Sequence, residues 1–85
     1  MRVTGKLWTF YSLVVSRNGV VDRVSPGDTA FACSIEARSS LRERLPTGTS
    51  DWERDGDVWR STYTRDNGDE IVHVLFPVEI DAPVG

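Results

Sequence analysis

The sequence predicts a small α+β domain, in which an antiparallel sheet carries one helix on one face. Two segments rich in aromatic and β-branched residues, 6–15 and 70–80, predict strands near the two ends of the chain. A segment rich in alanine, glutamate and arginine lies between them, ends at Pro46 and predicts the helix. We expect the order ββα-βββ within a single domain that spans residues 1–85.

The first two strands are predicted to form a hairpin around Asn18-Gly19, which is a strong signal for a two-residue turn. With that turn, Val15 should face Asp22 and Leu13 should face Val24. Valines dominate the returning strand, which favours its assignment to the sheet.

The helix is predicted to run from Pro26 to Leu45. Ser25 would be the cap, Pro26 would occupy the first helical position, and Asp28 would place an acid at the third. Apart from Arg38, one side of the helical wheel is apolar, formed by Ala30, Phe31, Ile35, Ala37, Leu41 and Leu45.

An alternative for the same segment is an all-β small barrel or sandwich with a short helix. Residues 29–36 alternate between apolar and polar side chains as an amphipathic strand does. The helix would then be short, and the capping box formed by Ser40 and Glu43 would start it.

The last three strands are predicted from two further turns. Asp55-Gly56 would pair Trp52 with Trp59, and Asn67-Gly68 would begin the final strand. In that register Trp59 faces Phe76, Ser61 faces Val74 and Tyr63 faces Val72. Arg60 then lies on the other face, opposite Leu75 and beside His73. The final strand has apolar residues on both faces, which predicts a central strand that the helix covers on one side.

The stretch from Asp51 to Trp59 also has the beginning of a calcium loop, with acids at alternate positions and Gly56 at the sixth. The bidentate acid that the twelfth position needs is missing, because that residue is Thr62. The residues after the loop are β-formers rather than an exiting helix. We therefore expect a hairpin here, with no metal and no cofactor.

Net charge, hydropathy and cysteine content argue against several classes of protein. The net charge of −3 is small, which argues against a nucleic-acid mimic and against a protein that follows a phosphate backbone. No apolar stretch approaches the roughly 20 residues of a membrane span, so no membrane partner is expected. Cys33 is the single cysteine, which excludes an internal disulfide and fits a cytoplasmic location.

Residues suited to covalent chemistry are few. A dyad of Cys33 and His73 would make a small hydrolase, and Thr62 is the expected cross-strand neighbour of His73. The simpler interpretation is that Cys33 is a small buried apolar residue and that His73 packs within its strand. We expect no enzyme and no catalytic residues.

Aromatic and arginine residues remain as the strongest functional signal, because they dominate the energetic centres of protein interfaces. We predict a partner-binding surface on the sheet, formed by Trp52, Trp59, Arg60, Tyr63, His73 and Leu75. The predicted function is non-enzymatic and stoichiometric binding of a macromolecule, most simply a protein, by an inhibitor or adaptor encoded by a phage or mobile element. The oligomeric state is left open, and a dimer is compatible with the sequence.

A second hypothesis is a nucleic-acid-associated antitoxin or regulator, with Arg38, Arg42 and Arg44 gathered on one face. Two strands followed by a helix that starts at Ser25-Pro26-Gly27-Asp28-Thr29 are similar in topology to small double-stranded-RNA-binding-like domains and HicB-type antitoxin domains. This resemblance covers residues 8–45 and involves no specific motif.

Overall fold

The computed structural model of the chain describes residues 1–83. It contains one antiparallel sheet of five strands and one short helix, which confirms the predicted small α+β class. The elements in chain order are β1 (Arg2–Val15), β2 (Val21–Pro26), α1 (Ser34–Arg42), β3 (Glu53–Asp55), β4 (Val58–Thr64) and β5 (Glu70–Pro83). The spatial order is β2-β1-β5-β4-β3, an open sheet, so the barrel and sandwich alternatives are wrong.

The two longest strands, β1 and β5, form the centre of the sheet. Each has 14 residues, and they pair along their whole length, from Arg2 opposite Pro83 to Val15 opposite Glu70. The prediction of a central final strand is confirmed. Its faces also alternate as predicted, with Val72, Val74, Phe76, Val78 and Ile80 on one face and Ile71, His73 and Leu75 on the other.

Part of this central pair extends beyond the rest of the sheet. β2 pairs with β1 only from Tyr11 to Val15, and β4 pairs with β5 only from Glu70 to Leu75. Residues 2–7 and 78–83 therefore continue as a two-stranded ribbon, which we call the arm. Because of the arm, the fold measures 52 Å in its longest direction and 24 Å and 23 Å in the others.

The helix is shorter than predicted and begins at Ser34 rather than Pro26. Pro26 ends β2, and the amide of Gly27 donates to the carbonyl of Phe10 at 2.8 Å. Phe31 then pairs with Trp8 through two backbone hydrogen bonds of 2.8 Å. The predicted helix start is wrong because contacts with β1 hold this segment extended. Residues 29–36 are not a strand either, since Phe31 makes an isolated bridge and Ser34 is already helical.

The core lies between α1 and one face of the sheet. Ala37, Leu41 and Leu75 are 0%, 3% and 0% exposed. Partly buried aromatic residues surround them, namely Trp8, Phe10, Phe31, Trp52 and Trp59. Ile35, predicted on the buried side of the helix, is 72% exposed. Burying the Ala37 and Leu41 side of so short a helix leaves Ile35 facing outward.

The first hairpin has a three-residue loop instead of the predicted two-residue turn. The amide of Ser16 donates to the carbonyl of Val20 at 2.8 Å, and Gly19 has a φ of +82°, which favours glycine. A β-bulge then shifts the register, so that Val15 lies opposite Val21 rather than Asp22. The predicted pairing of Leu13 with Val24 is confirmed because the bulge compensates for the longer loop.

The β4–β5 hairpin also has a longer loop, and no bulge compensates for it. The amide of Arg65 donates to the carbonyl of Asp69 at 2.7 Å, which leaves three residues in the loop. The register is therefore displaced by one residue from the prediction. Trp59, Ser61 and Tyr63 lie opposite Leu75, His73 and Ile71, not opposite Phe76, Val74 and Val72.

A hairpin forms in this segment as predicted, but its turn is Gly56-Asp57 and not Asp55-Gly56, so the predicted register is wrong. Asp55 pairs with Val58, so the two loop residues are Gly56 and Asp57. Gly56 has a φ of +62°, the backbone conformation that the first position of a primed hairpin turn requires. Trp59 consequently lies opposite Arg54, and the predicted pair of tryptophans does not form.

Candidate partner-binding surface

The displaced register divides the predicted site between the two faces of the sheet. Trp59, Tyr63, His73 and Leu75 lie on the face that α1 covers, where Leu75 is completely buried. Arg60 lies on the opposite face, across from Val74. The prediction that Arg60 shares a face with His73 and Leu75 is therefore wrong, because a shift of one residue moves every side chain to the other face.

Two tryptophans of the predicted site hold the helix against the sheet. The guanidinium of Arg38 lies 3.9 Å from the ring centroid of Trp59, a cation–π contact. The indole Nε1 of Trp52 donates to the carbonyl oxygen of Arg38 at 3.2 Å. This stacking explains why an arginine interrupts the apolar stripe of the predicted helix. Because Trp52 and Trp59 are engaged internally, their accessible surface for a partner is reduced.

The face of the sheet opposite α1 has no covering element within residues 1–83, and we call it the uncovered face. Its centre is closed by the rings of Tyr11 and Phe76, whose centroids are 5.4 Å apart, and Val74 beside them is only 5% exposed. Around this centre Leu7 is 37% exposed and Val78 is 42% exposed. Leu13, Val24, Val72 and Ile80 share the same face.

Charged residues border the uncovered face along β3 and β4. Arg60 forms an ion pair with Asp55, and Glu53 lies opposite Arg60 in the adjacent strand. These residues line a groove of about 480 Å³ that also reaches Glu70 and Val72. The surface thus combines an apolar centre with a charged margin, which is the usual arrangement of a protein interface.

His73 has a different neighbour from the one predicted. Its Nδ1 lies 3.0 Å from the hydroxyl of Ser12 on β1, and Ser61, not Thr62, is its partner residue on β4. Ser12 and His73 border a cavity of about 160 Å³, which is also lined by Phe10, Leu41, Arg44, Leu45 and Trp52. Burial lowers the pKa of His73 from its ordinary value of 6.5, because the charged imidazolium loses hydration. The Nε2 atom is buried and has no hydrogen-bond partner among residues 1–83.

Cys33 and His73 are not brought together. Cys33 is exposed and occupies the N-cap position of α1, so the expectation that it is buried is wrong. The cavity beside His73 is lined by residues at the other end of the helix, Leu41 to Leu45, and His73 contacts Ser12 instead. The contact of Ser12 with His73 was not predicted, because it depends on the pairing of β1 with β5, which places Ser12 opposite His73.

The three arginines of the nucleic-acid hypothesis all have partners within the chain. Arg38 stacks on Trp59. Arg42 donates to the carbonyl oxygens of Ser50 at 2.6 Å and Thr49 at 3.0 Å and lies 3.5 Å from the carboxylate of Asp51. Arg44 lies 3.8 Å from Asp28. These contacts tie the helix to the segments before and after it.

Within residues 1–83 no group of three or more histidine, cysteine, aspartate or glutamate side chains is arranged to hold a metal ion. Among the same residues, no helix has the length and apolar character that crossing a membrane requires. Comparison with known proteins gives no match: no protein-family model, no curated protein and no solved structure is significantly similar to this chain.

Proposed function

We propose that this chain is a non-enzymatic binding protein that holds one protein partner on its uncovered face, as an inhibitor or adaptor does. The observation that carries the proposal is the uncovered apolar surface on both sides of Tyr11 and Phe76. Leu7 and Val78 toward the arm are 37% and 42% exposed, and Val24 on the other side is 59% exposed. Contiguous apolar surface of this kind on a small soluble chain needs a reason, and a partner supplies one.

The chemistry of this face indicates a folded protein surface as the partner. Apolar and aromatic residues form its centre, and Arg60 with Asp55, Glu53 and Glu70 forms a margin of both charge signs. Such a surface fits a partner with an apolar patch and mixed charges at its border. A nucleic-acid backbone fits less well, because Arg38, Arg42 and Arg44 are already engaged within the chain.

The Ser12–His73 pair favours a structural role over catalysis. In an activated serine, the base takes the hydroxyl proton while an acid orients its other ring nitrogen. Here the hydroxyl is next to Nδ1, and Nε2 has no partner in the described part of the chain. The cavity beside them is lined mainly by apolar side chains of the core.

The test uses the immobilised wild type, two immobilised variants and an extract of the source organism, read by quantitative mass spectrometry. Val78→Lys places a charge on the uncovered face, whereas Ile35→Lys places the same charge on the exposed side of α1, where Ile35 is 72% exposed. We expect wild type and Ile35→Lys to retain the same protein in a one-to-one ratio and Val78→Lys to lose it.

Arg60→Glu then tests the charged margin. We expect weaker binding of the same protein and a changed dependence of the association rate on salt. If Val78→Lys and Arg60→Glu both fold and bind as wild type does, the uncovered face is not the binding surface.

A further inference from the structure

The free edges of the sheet are protected unequally, and one of them is open. β3, at one side of the sheet, has only three residues, all of them charged. β2, at the other side, contains a bulge and ends in a proline. Short edge strands, charges, bulges and prolines are the features by which proteins prevent unwanted strand pairing. The arm adds two more free edges, one on β1 and one on β5.

The orientation of the backbone groups on the arm follows from a contact in the body. Both the amide and the carbonyl of Trp8 bond to Phe31, so at this residue β1 directs its backbone groups away from β5. Alternate residues of a strand direct these groups to the same side. Arg2, Thr4 and Lys6 therefore present their amides and carbonyls at the free edge of β1.

On β5 the same alternation places Pro77, Glu79, Asp81 and Pro83 at the free edge, because Trp8 pairs with Pro77 and Arg2 with Pro83. The two prolines have no amide hydrogen, so half of these positions cannot donate. Two of the four donors of the β5 edge are lost in this way, whereas residues 2–7 of β1 contain no proline or bulge and have two charges, Arg2 and Lys6, as their only edge protection.

We infer that the chain pairs with a second copy of itself through this open edge of β1. The donors and acceptors at Arg2, Thr4 and Lys6 are spaced symmetrically about Thr4, and Phe31 terminates the open edge at Trp8. An antiparallel copy fits this edge when a two-fold axis passes beside Thr4. The sheets of the two copies then form one continuous sheet, and Met1 of each copy lies next to the Phe31 of the other.

In this register Arg2, Thr4 and Lys6 direct their side chains to one face of the sheet, because alternate residues of a strand share a face. Thr4 lies opposite Thr4 of the second copy, a pair that is favourable across strands. Arg2 of one copy lies opposite Lys6 of the other, a like-charge pair that is unfavourable by itself. An acid on the adjacent β5 offsets each charge, with Asp81 at 2.6 Å from Arg2 and Glu79 opposite Lys6. The pairing leaves the uncovered face accessible, so it is independent of the function proposed above.

The experiment is sedimentation equilibrium on the full chain, with two matched proline substitutions in the arm. Thr4→Pro removes an amide from the open edge of β1, and Glu79→Pro removes one from the free edge of β5. Thr4→Pro should raise the dissociation constant of the wild-type dimer about tenfold or more, because it removes hydrogen bonds from both copies. Glu79→Pro keeps every hydrogen bond of the pairing and removes only the acid opposite Lys6, so it should raise that constant less.

Amide exchange measured by NMR provides a readout that does not depend on a variant. The amides of Thr4 and Lys6 should become more protected as the wild-type concentration rises, while those of Glu79 and Asp81 should not change. A wild-type chain that stays monomeric at NMR concentrations overturns the inference. So does an equal weakening of the dimer by Thr4→Pro and Glu79→Pro.

Discussion

At the scale of single residues, burial determines how much each side chain contributes to the stability of the fold. Leu75 is completely buried at the centre of the sheet and contacts the helix residues Ala37 and Leu41 in one cluster. Leu75→Ala should lower the free energy of unfolding by about 3 kcal/mol, because it opens a cavity that this small core cannot fill. Urea denaturation measures the change.

Ile35→Ala is the control for that measurement, because Ile35 belongs to the same helix but is 72% exposed. It should change the free energy of unfolding by no more than about 0.5 kcal/mol. Equal losses in the two variants would mean that α1 does not pack on the sheet through Ala37 and Leu41.

His73 gives the stability of the fold a pH dependence. Its pKa is lowered by burial in the folded state, so the unfolded chain binds the proton more readily. Stability should be complete above the ordinary pKa of 6.5 and should fall as the pH decreases from there toward the lowered pKa. His73→Gln, which keeps a neutral side chain at all pH values, should remove this decline.

Urea melts of the two proteins at about pH 7.5 and about pH 5.5 make the comparison, since His73 is the sole histidine of the chain. Parallel losses of stability in wild type and His73→Gln would assign the pH dependence to other groups.

At the scale of the elements, the contact of Gly27 with Phe10 fixes the chain at the end of β2 and prevents a helix from beginning there. A Cβ at this position would lie 2.7 Å from three ring atoms of Phe10. Gly27→Ala should therefore displace the ring and destabilise the fold by about 2 kcal/mol, as overpacking of a core does. Gly5→Ala is the matched control in β1, because no atom lies within 4 Å of the added Cβ.

Thermal unfolding followed by circular dichroism distinguishes the two alanine variants. Gly5→Ala should match or slightly exceed wild type, since alanine loses less chain entropy on folding than glycine. A Gly27→Ala variant as stable as Gly5→Ala would show that the ring of Phe10 can move without loss of folding stability.

The elements that were predictable from sequence were those with long, regular patterns. Alternation in β5 identified its two faces. The pairing of Leu13 with Val24 agrees with the prediction only because a β-bulge compensates for the longer first loop. Loop length was not predictable, because Asn-Gly occurs in two-residue turns and also at the end of three-residue loops. In the β4–β5 hairpin, one additional loop residue shifted the register of β4, so Arg60 lies on the opposite face of the sheet from His73.

The helix start could not be found from local signals either. Ser25 and Pro26 have the pattern of a cap and a first helical position, but a proline is equally suited to the end of an edge strand. The competing contacts of Gly27 with Phe10 and of Phe31 with Trp8 are tertiary, and no local sequence pattern contains them.

At the scale of the whole molecule, the arm and the body should differ in local stability. The arm has two strands and no helix over it, whereas residues 9–15 of β1 lie between β5 and β2 and in part below α1. Two-stranded ribbons are marginally stable in water. In dilute solution, hydrogen exchange of amides bonded within the arm should be faster than exchange in residues 9–15 and 70–76.

Mass spectrometry after deuterium labelling resolves these segments, and the comparison needs no variant. Uniform protection along both long strands at low concentration would contradict the division into arm and body.

The prolines at positions 77 and 83 limit how far any assembly of this chain can grow. A subunit with two open edges can accept two neighbours, and antiparallel pairing at both would extend into a fibril. Because the β5 edge lacks amide donors at these two prolines, each subunit can pair with another strand through the β1 edge only. Association through β1 then satisfies both subunits and stops at two, so the free edge of residues 2–7 can persist without starting aggregation.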